Sequence, residues 1–337
     1  MVWKPKQKEL TREEAVELAR SELAPDWFGV RPLLAAVQGA AGVTVHPLDP
    51  AISSQPWLLF FLNPFDFHGE TALALALEFR DRYSSAGSGG GLRSLALLKL
   101  DYAFQRSKGW LESFARLKKI DFPLVNDRGG LLSTAFGVRE LPRLLLIDQG
   151  KTLFETQILE KRERTEHEIQ RFLRGQDPGL PLPHPRRFAP EQVRNASPPS
   201  LEFGARARTL QSQPPFFAKG TWKVEDECIT TEDPLAEIEF MSPGTCVSVL
   251  AKSSSQVMDT AKISVEVSGA PAFDAMRGAD LSFDDEGASS AKVIEPRLYH
   301  LLKGLGPQQR KITLRFQHSA RVPITLCGLR FGNIGTG

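Results

Sequence analysis

Residues 122–148 read FPLVNDRGGLLSTAFGVRELPRLLLID, and this stretch decides the fold. Phe122 and Pro123 lead into a short strand, and Asp127 to Gly130 form an Asp-x-x-Gly turn. A helix follows, then a Phe-Gly-Val step at Phe136, Gly137 and Val138. Leu141 and Pro142 then introduce an apolar strand that ends in Ile147 and Asp148. Proline has no amide hydrogen to give and restricts the residue before it, so Pro142 belongs at the start of this strand and not inside it.

Upstream, residues 57–62 (WLLFFL) are a continuous apolar run, the pattern of a strand buried on both faces. Residues 70–83 predict a helix with Leu73, Ala76 and Leu77 aligned. Residues 94–100 predict a second buried strand, and residues 108–118 a helix with Trp110, Phe114 and Leu117 on one side. Downstream, Gln149-Gly150 turns the chain into another strand at 151–157. Thr165 and Glu168 have capping-box spacing and predict the start of a last helix, which buries Ile169, Phe172 and Leu173 and stops at Gly175.

At the N-terminus, Thr11 and Glu14 have the same capping-box spacing. They precede Ala15, Leu18, Ala19 and Leu23, which share one helical face. Residues 32–38 predict a short helix and residues 42–47 a strand, and residues 84–91 (SSAGSGGG) are a loop. Seven prolines between 178 and 199 deny regular structure and predict a semi-rigid linker. Beyond it the period becomes two. Ile238 and Phe240 point in while Glu237 and Glu239 point out, and residues 262–267 and 311–316 alternate likewise. Further short strands fit 221–225, 246–251 and 325–331. Many short alternating strands predict an antiparallel sandwich or jelly roll.

The expected organisation is therefore a helical extension (1–50), an α/β domain (51–176), a proline-rich linker (177–199) and an all-β sandwich (200–337). The length of 337 residues suits two domains. With 42 Lys and Arg against 40 Asp and Glu, the net charge of +2 gives no electrostatic case for nucleic acid or a membrane surface. No apolar run reaches the 18 or so residues of a spanning helix. The basic start runs into charged residues rather than an apolar segment, so the chain as written is expected to be cytoplasmic, or extracytoplasmic if a leader has been removed. The three cysteines, Cys228, Cys246 and Cys327, are too few and too scattered for a disulfide framework or a four-cysteine zinc site. They are expected as buried small hydrophobes, with a Cys246–Cys327 bridge conceivable only if their strands are neighbours.

The order strand-helix-strand-helix, hairpin, helix over 57–175 is that of thioredoxin. Phe122, Pro123, Asp127, Gly130, Phe136, Gly137, Val138, Pro142, Ile147 and Asp148 resemble the TlpA-like (redoxin) branch of thioredoxin-fold proteins. The resemblance implies a cis Leu141–Pro142 bond lining a groove beside the redox centre, although Leu141 stands where the family usually has Thr or Val. It also implies a CxxC between the first buried strand and its helix. Aligning the strand ends places those two cysteines at Phe65 and His68. Thiol–disulfide exchange needs an attacking thiolate and a resolving thiol, and neither residue supplies one. No other cysteine precedes residue 228.

Asp66, His68 and Glu70 are a conceivable polar or metal cluster. The competing reading is a helix entrance capped by Asp66 or Asn63, with acidic groups favoured by the helix dipole. His46 and His167 read as a strand end and a helix surface, and residues 161–164 (KRER) as a charge run before a helix. Arg186, Arg187, Arg206 and Arg208 read as solvated surface.

The second half resembles the sandwich that follows the thioredoxin domain in DipZ-type proteins, which is likened to carbohydrate-binding modules. The carrying segments are 201–204 (LEFG), 220–224 (GTWKV), 297–303 (RLYHLLK), 311–316 (KITLRF) and 329–332 (LRFG). For a sugar, the stacking candidates are Trp222, Tyr299 and Phe273, although the strand positions of Trp222 and Tyr299 favour the core or its edge. His300 and His318 read as strand-surface residues. The expected function is a redox-inactive binding or scaffolding protein with protein partners and no cofactor, metal or catalytic residue. The alternatives are an oxidoreductase-related enzyme centred on Asp66 and His68, or glycan binding by the sandwich.

Overall fold

A computed structural model describes residues 56–66, 68–84, 92–100, 102, 105, 108–120, 122, 124–127, 130–148, 151–159, 161–185, 200–204, 215–253, 261–306, 308–318 and 322–333. The expected elements at 11–23, 32–38 and 42–47, the loop at 85–91, His46, and Arg186, Arg187, Arg206 and Arg208 lie outside them. The chain forms two compact units, an α/β thioredoxin-like unit and an all-β sandwich.

The first unit runs β1 (Trp57–Leu62), α1 (Gly69–Tyr83), β2 (Arg93–Leu98), α2 (Lys108–Leu117), β3 (Leu124–Asn126), α3 (Leu131–Ala135), β4 (Arg143–Asp148), β5 (Lys151–Gln157) and α4 (Arg162–Gln176). The sheet order is β3-β2-β1-β4-β5. Strands β1, β2 and β3 are parallel, and β4 and β5 run antiparallel to their neighbours. This is the thioredoxin arrangement. Residues Leu58–Leu62 and Leu144–Ile147 are buried, as their unbroken apolar runs require. Helix α1 buries Ala72, Leu73, Ala76, Phe79 and Tyr83, spaced three and four apart.

Gly69 opens α1 where nothing larger fits. A Cβ there would lie 1.7 Å from the Asn63 carbonyl oxygen, which is backbone and has no rotamer to change. Gly69→Ala is expected to lower stability by about 3 kcal/mol through forced backbone displacement, measured by urea unfolding. An unchanged midpoint would contradict this close approach.

Helix α4 begins at Arg162 after Lys161, so the expected capping box at Thr165 and Glu168 is not its entrance. Thr165 lies inside the helix and donates its hydroxyl to the Lys161 carbonyl at 2.8 Å. Glu168 pairs with Arg171 instead. The charge run at 161–164 accordingly forms the first turn of the helix, and the helix continues to Gln176 rather than stopping at Gly175. His167 sits on its surface, its Nδ1 2.7 Å from the Glu163 carbonyl.

A buried polar network joins α1 to α4. Tyr83 donates to Glu166 Oε1 at 2.7 Å and accepts from Gln170 Nε2 at 2.9 Å, and Arg82 Nη2 pairs with the same Glu166 oxygen at 2.7 Å. Gln170 also donates to the Pro183 carbonyl, and Arg82 to that of His184. The start of the proline-rich segment is therefore pinned back on this unit.

Burial, then the Glu166 carboxylate, pushes the Tyr83 hydroxyl pKa well above its ordinary value, and burial raises that of Tyr299 too. The unfolded tyrosine ionises near pH 10 while the folded one stays neutral. The stabilisation is complete below pH 10 and is lost as pH climbs toward the folded pKa. The slope is at most about 1.4 kcal/mol per pH unit for each tyrosine. Urea midpoints are expected to fall between pH 10 and 12, and less steeply in Tyr83→Phe.

The second unit contains β6 (Leu201–Glu202), β7 (Phe216–Lys219), β8 (Lys223–Val224), β9 (Ile229–Thr231), β10 (Glu237–Ser242), β11 (Cys246–Ser253), β12 (Ala261–Val267), β13 (Ala270–Pro271), β14 (Ser282–Phe283), β15 (Ser289–Lys292), β16 (Arg297–Leu302), β17 (Arg310–His318) and β18 (Ile324–Gly332). One sheet has the order β14-β15-β12-β17-β10-β7 with β13 beside β12. The other is β16-β11-β18-β9-β8 with β6 beside β18. The core between them takes Ile238, Phe240, Ile263, Val265, Leu314 and Phe316 from the first sheet. The second contributes Val247, Val249, Tyr299, Leu326, Leu329 and Phe331. The strand expected at 221–225 is only Lys223–Val224, because Gly220, at φ 89° and against Ala236, separates it from β7.

Cys228 and Cys327 form a disulfide, and Cys246 is a free, buried cysteine. All three are buried, as expected of small hydrophobes, but the pairing of Cys228 with Cys327 was not anticipated. Strands β11 and β18 are neighbours, but Cys246 faces Gly332 and not Cys327, so their bridge does not form.

Candidate functional site

The register Phe61↔Arg143 sets the end of β1 beside the start of β4. The turn after β1 and the Leu141–Pro142 bond, which is cis, therefore share one end of the sheet. Asp127 reaches the same end, its amide donating to the Leu98 carbonyl, as does Lys99, whose amide donates to Leu62. This is where the parallel strands finish, the usual place for a site in an open α/β sheet.

Asp127 is 1 % exposed and fully engaged. It accepts from the Leu132 amide at 2.7 Å, the Ser133 amide at 3.0 Å and the Ser133 hydroxyl. Those bonds satisfy orphan donors at the start of α3. Gly130 enters that helix at φ 72°, and Gly137 leaves it at φ 74°. Burial raises the Asp127 pKa, while the Ser133 bonds, the Leu132 amide and the Lys99 charge pull it down. A carboxylate held by three donors serves as a structural cap. The sequence showed it only as part of the Asp-x-x-Gly pattern, and the αL residue between it and the helix hid its capping role.

Phe65 and Asp66 lie in the turn between β1 and α1, and His68 is the residue before the helix. His68 holds helical dihedrals, makes no side-chain cap, and accepts the Ala72 amide at its carbonyl. The N-cap position is thus His68, rather than Asp66 or Asn63 as expected. Glu70 is drawn away, its carboxylate receiving Lys118 Nζ at 2.7 Å. Among the described residues no three His, Cys, Asp or Glu side chains converge as a metal group, and Asp66, His68 and Glu70 do not come together as one.

Beside the cis bond, Glu140 pairs with Arg143 at 3.3 Å and accepts from Gln157 at 3.1 Å, and Arg143 lies 3.7 Å from Glu155. Leu141 is half-buried and Pro142 buried. The chain at the cis bond is thus an apolar step flanked by charged side chains.

In the sandwich, Tyr299 is wholly buried. Its hydroxyl accepts from the Ile294 and Glu295 amides and donates to the Glu295 carbonyl, and Arg297 stacks on its ring at 4.0 Å. It has no face left for a ligand. Trp222 meets Phe316 edge-on at 5.2 Å and donates to the Lys219 carbonyl. Phe273 is 57 % exposed. His300, on β16, lies with Nδ1 2.9 Å from the Ser248 hydroxyl. His318 is in β17.

No family model matches this chain, and no curated protein matches it. Solved structures do. A family two carbohydrate esterase from Cellvibrio japonicus is 14% identical, with a TM-score of 0.28 over 36% of this chain and 31% of its own, so this chain spans about a third of it. A thioredoxin-like protein in its oxidised form is 20% identical, with a TM-score of 0.31 over 36% of this chain and 80% of its own. A secreted Mycobacterium tuberculosis disulfide oxidoreductase is 13% identical, with a TM-score of 0.26 over 32% and 72%.

Proposed function

We propose that the first unit is a thioredoxin-fold binding module that has given up thiol chemistry. Its groove beside Pro142 holds an extended partner segment, in the manner of strand addition. One observation carries this reading. The turn after β1 carries Phe65 and His68, where the resemblance to TlpA-like proteins implies the two cysteines of a CxxC, and the sequence has no cysteine before Cys228. Asp127 is spent on capping and Glu70 on Lys118, which weighs against an enzyme centred on Asp66 and His68. The protein with its sandwich disulfide intact is assayed for insulin reduction with dithiothreitol. The expected rate is that of dithiothreitol alone.

The sandwich is read as a DipZ-type, carbohydrate-binding-module-like domain that adds a second binding surface. The exposure of Phe273 favours a glycan there. A glycan array probed with the full chain and with Phe273→Ala tests it, and equal signal from both would remove this reading. The buried Cys228–Cys327 bond suits an oxidising compartment, which supports the extracytoplasmic alternative. No helix among the described residues is long and apolar enough to cross a membrane.

A further inference from the structure

Residues 180–185 read LPLPHP. Proline occupies positions 181, 183 and 185, and Leu180, Leu182 and His184 each precede one. A proline fixes its own φ near about −65° and pushes the residue before it out of the helical region. All six residues are therefore confined to extended backbone. They belong to no helix or strand. Polyproline II is the extended conformation that needs no backbone ladder, and alternating prolines favour it.

The thioredoxin-like unit holds one side of this segment. After α4 the chain turns at Asp177, whose carbonyl accepts the Leu180 amide at 3.2 Å and whose Oδ1 accepts the Gly179 amide at 3.0 Å. It then runs back along the helix. Gln170 Nε2 donates to the Pro183 carbonyl at 2.8 Å, and Arg82 Nη2 to the His184 carbonyl at 2.6 Å. Both donors are themselves fixed by the buried Tyr83 and Glu166 network. Leu180, Leu182 and Pro183 are half-buried, whereas Pro181, His184 and Pro185 are exposed. Exposure thus returns after three residues, one polyproline II turn, which places Pro181 and His184 about 9 Å apart.

We propose that residues 180–185 are a preformed polyproline II ligand for a partner protein with an aromatic-lined, proline-reading groove. Such grooves exploit a backbone that is already ordered before binding. Here the bonds from Gln170 and Arg82 hold two of the carbonyls in advance, which lowers the ordering cost further. Pro181 fills one slot of the groove, and the His184–Pro185 step fills the next. Charge specifies the partner more closely. Arg186 and Arg187 follow directly in the chain, so acidic side chains at that end of the groove complement the segment. An SH3-type groove with acidic residues beside it has this chemistry. The inference does not depend on the groove beside Pro142.

The test titrates the full chain, with the Cys228–Cys327 bond intact, into an isotope-labelled SH3 domain of that kind, followed by NMR. Saturable shifts confined to the aromatic groove are expected, with a Kd below about 200 μM. Pro181→Ala combined with Pro185→Ala is expected to weaken binding at least tenfold. Arg186→Ala combined with Arg187→Ala is expected to weaken it at least threefold. Gln170→Ala leaves every exposed residue of the segment in place and is expected to weaken binding two- to fivefold, because the Pro183 carbonyl is released. The absence of saturable shifts at about 1 mM chain would overturn the proposal. Equal affinity for the parent and the double proline variant would overturn it too. Unchanged affinity in Gln170→Ala would contradict a ligand preformed by the fold. Thermal midpoints above the assay temperature confirm that each variant is folded.

Discussion

Glu166→Ala lowers the stability of the thioredoxin-like unit by about 3–5 kcal/mol, the range for removing one partner from a buried ion pair. Glu166 is 0 % exposed and serves two groups at once, the Tyr83 hydroxyl and the Arg82 guanidinium. Deleting it strands a phenol that burial already holds neutral. It also leaves Arg82, among the described residues, with Glu78 at 3.5 Å, the His184 carbonyl and the Tyr83 ring. Gln170 retains its bond to the Pro183 carbonyl but donates to a hydroxyl that has lost its acceptor. Urea unfolding followed by tryptophan fluorescence reads the loss. Tyr83→Phe, which removes a single hydroxyl and leaves the ion pair intact, is expected to cost about 1–2 kcal/mol. Equal costs for the two variants would mean that the ion pair contributes nothing.

Opening the Cys228–Cys327 bond has the second large effect. The bond closes a loop with a sequence separation of 99, from before β9 to within β18. Chain-entropy arguments place such a closure at about 4–5 kcal/mol, and removing a native disulfide typically costs 2–5. Cys228→Ser combined with Cys327→Ser is therefore expected to destabilise the sandwich by about 3–5 kcal/mol. Dithiothreitol lowers the unfolding midpoint of the parent protein and leaves that of the double variant unchanged. Cys228 and Cys327 are 5 % and 0 % exposed, so native-state reduction is expected to be slow and to follow opening of the sandwich. Rapid reduction without loss of stability would contradict a structural role.

The two runs WLLFFL and LLLID could be read as buried strands because every residue in them is apolar up to the last aspartate, and both became neighbours in the centre of the sheet. The alternation around Ile238, Val265 and Leu314 was equally legible, since a half-buried antiparallel strand must alternate. Proline before an apolar strand, in a pattern resembling TlpA-like proteins, implied the cis bond at Leu141–Pro142 that the structure contains. Features set by distant parts of the chain were not legible. The disulfide joins an irregular turn at Cys228 to Cys327, which lies where the β11–β18 register shifts, and neither position has a local signature.

The start of α4 was misplaced because Thr165 and Glu168 have the spacing of a cap. Arg162, Glu163 and Arg164 are themselves good helix formers, and they extend the helix back by a turn. Asp66, His68 and Glu70 are side chains whose types suggest a cluster, but side-chain partners are set by tertiary structure, as the Glu70–Lys118 pair shows. An aromatic such as Tyr299 on a strand suits either a sugar or the core, and its hydroxyl bonds to Ile294 and Glu295 decide for the core.

The central claim is that a thioredoxin-like unit with a cis-proline groove operates here without thiol chemistry. Insulin reduction tests it most directly, with the full chain, its Cys246→Ala variant and dithiothreitol alone compared at equal reductant. Three indistinguishable rates are expected. Turnover more than tenfold above dithiothreitol alone, sustained in Cys246→Ala, would contradict it.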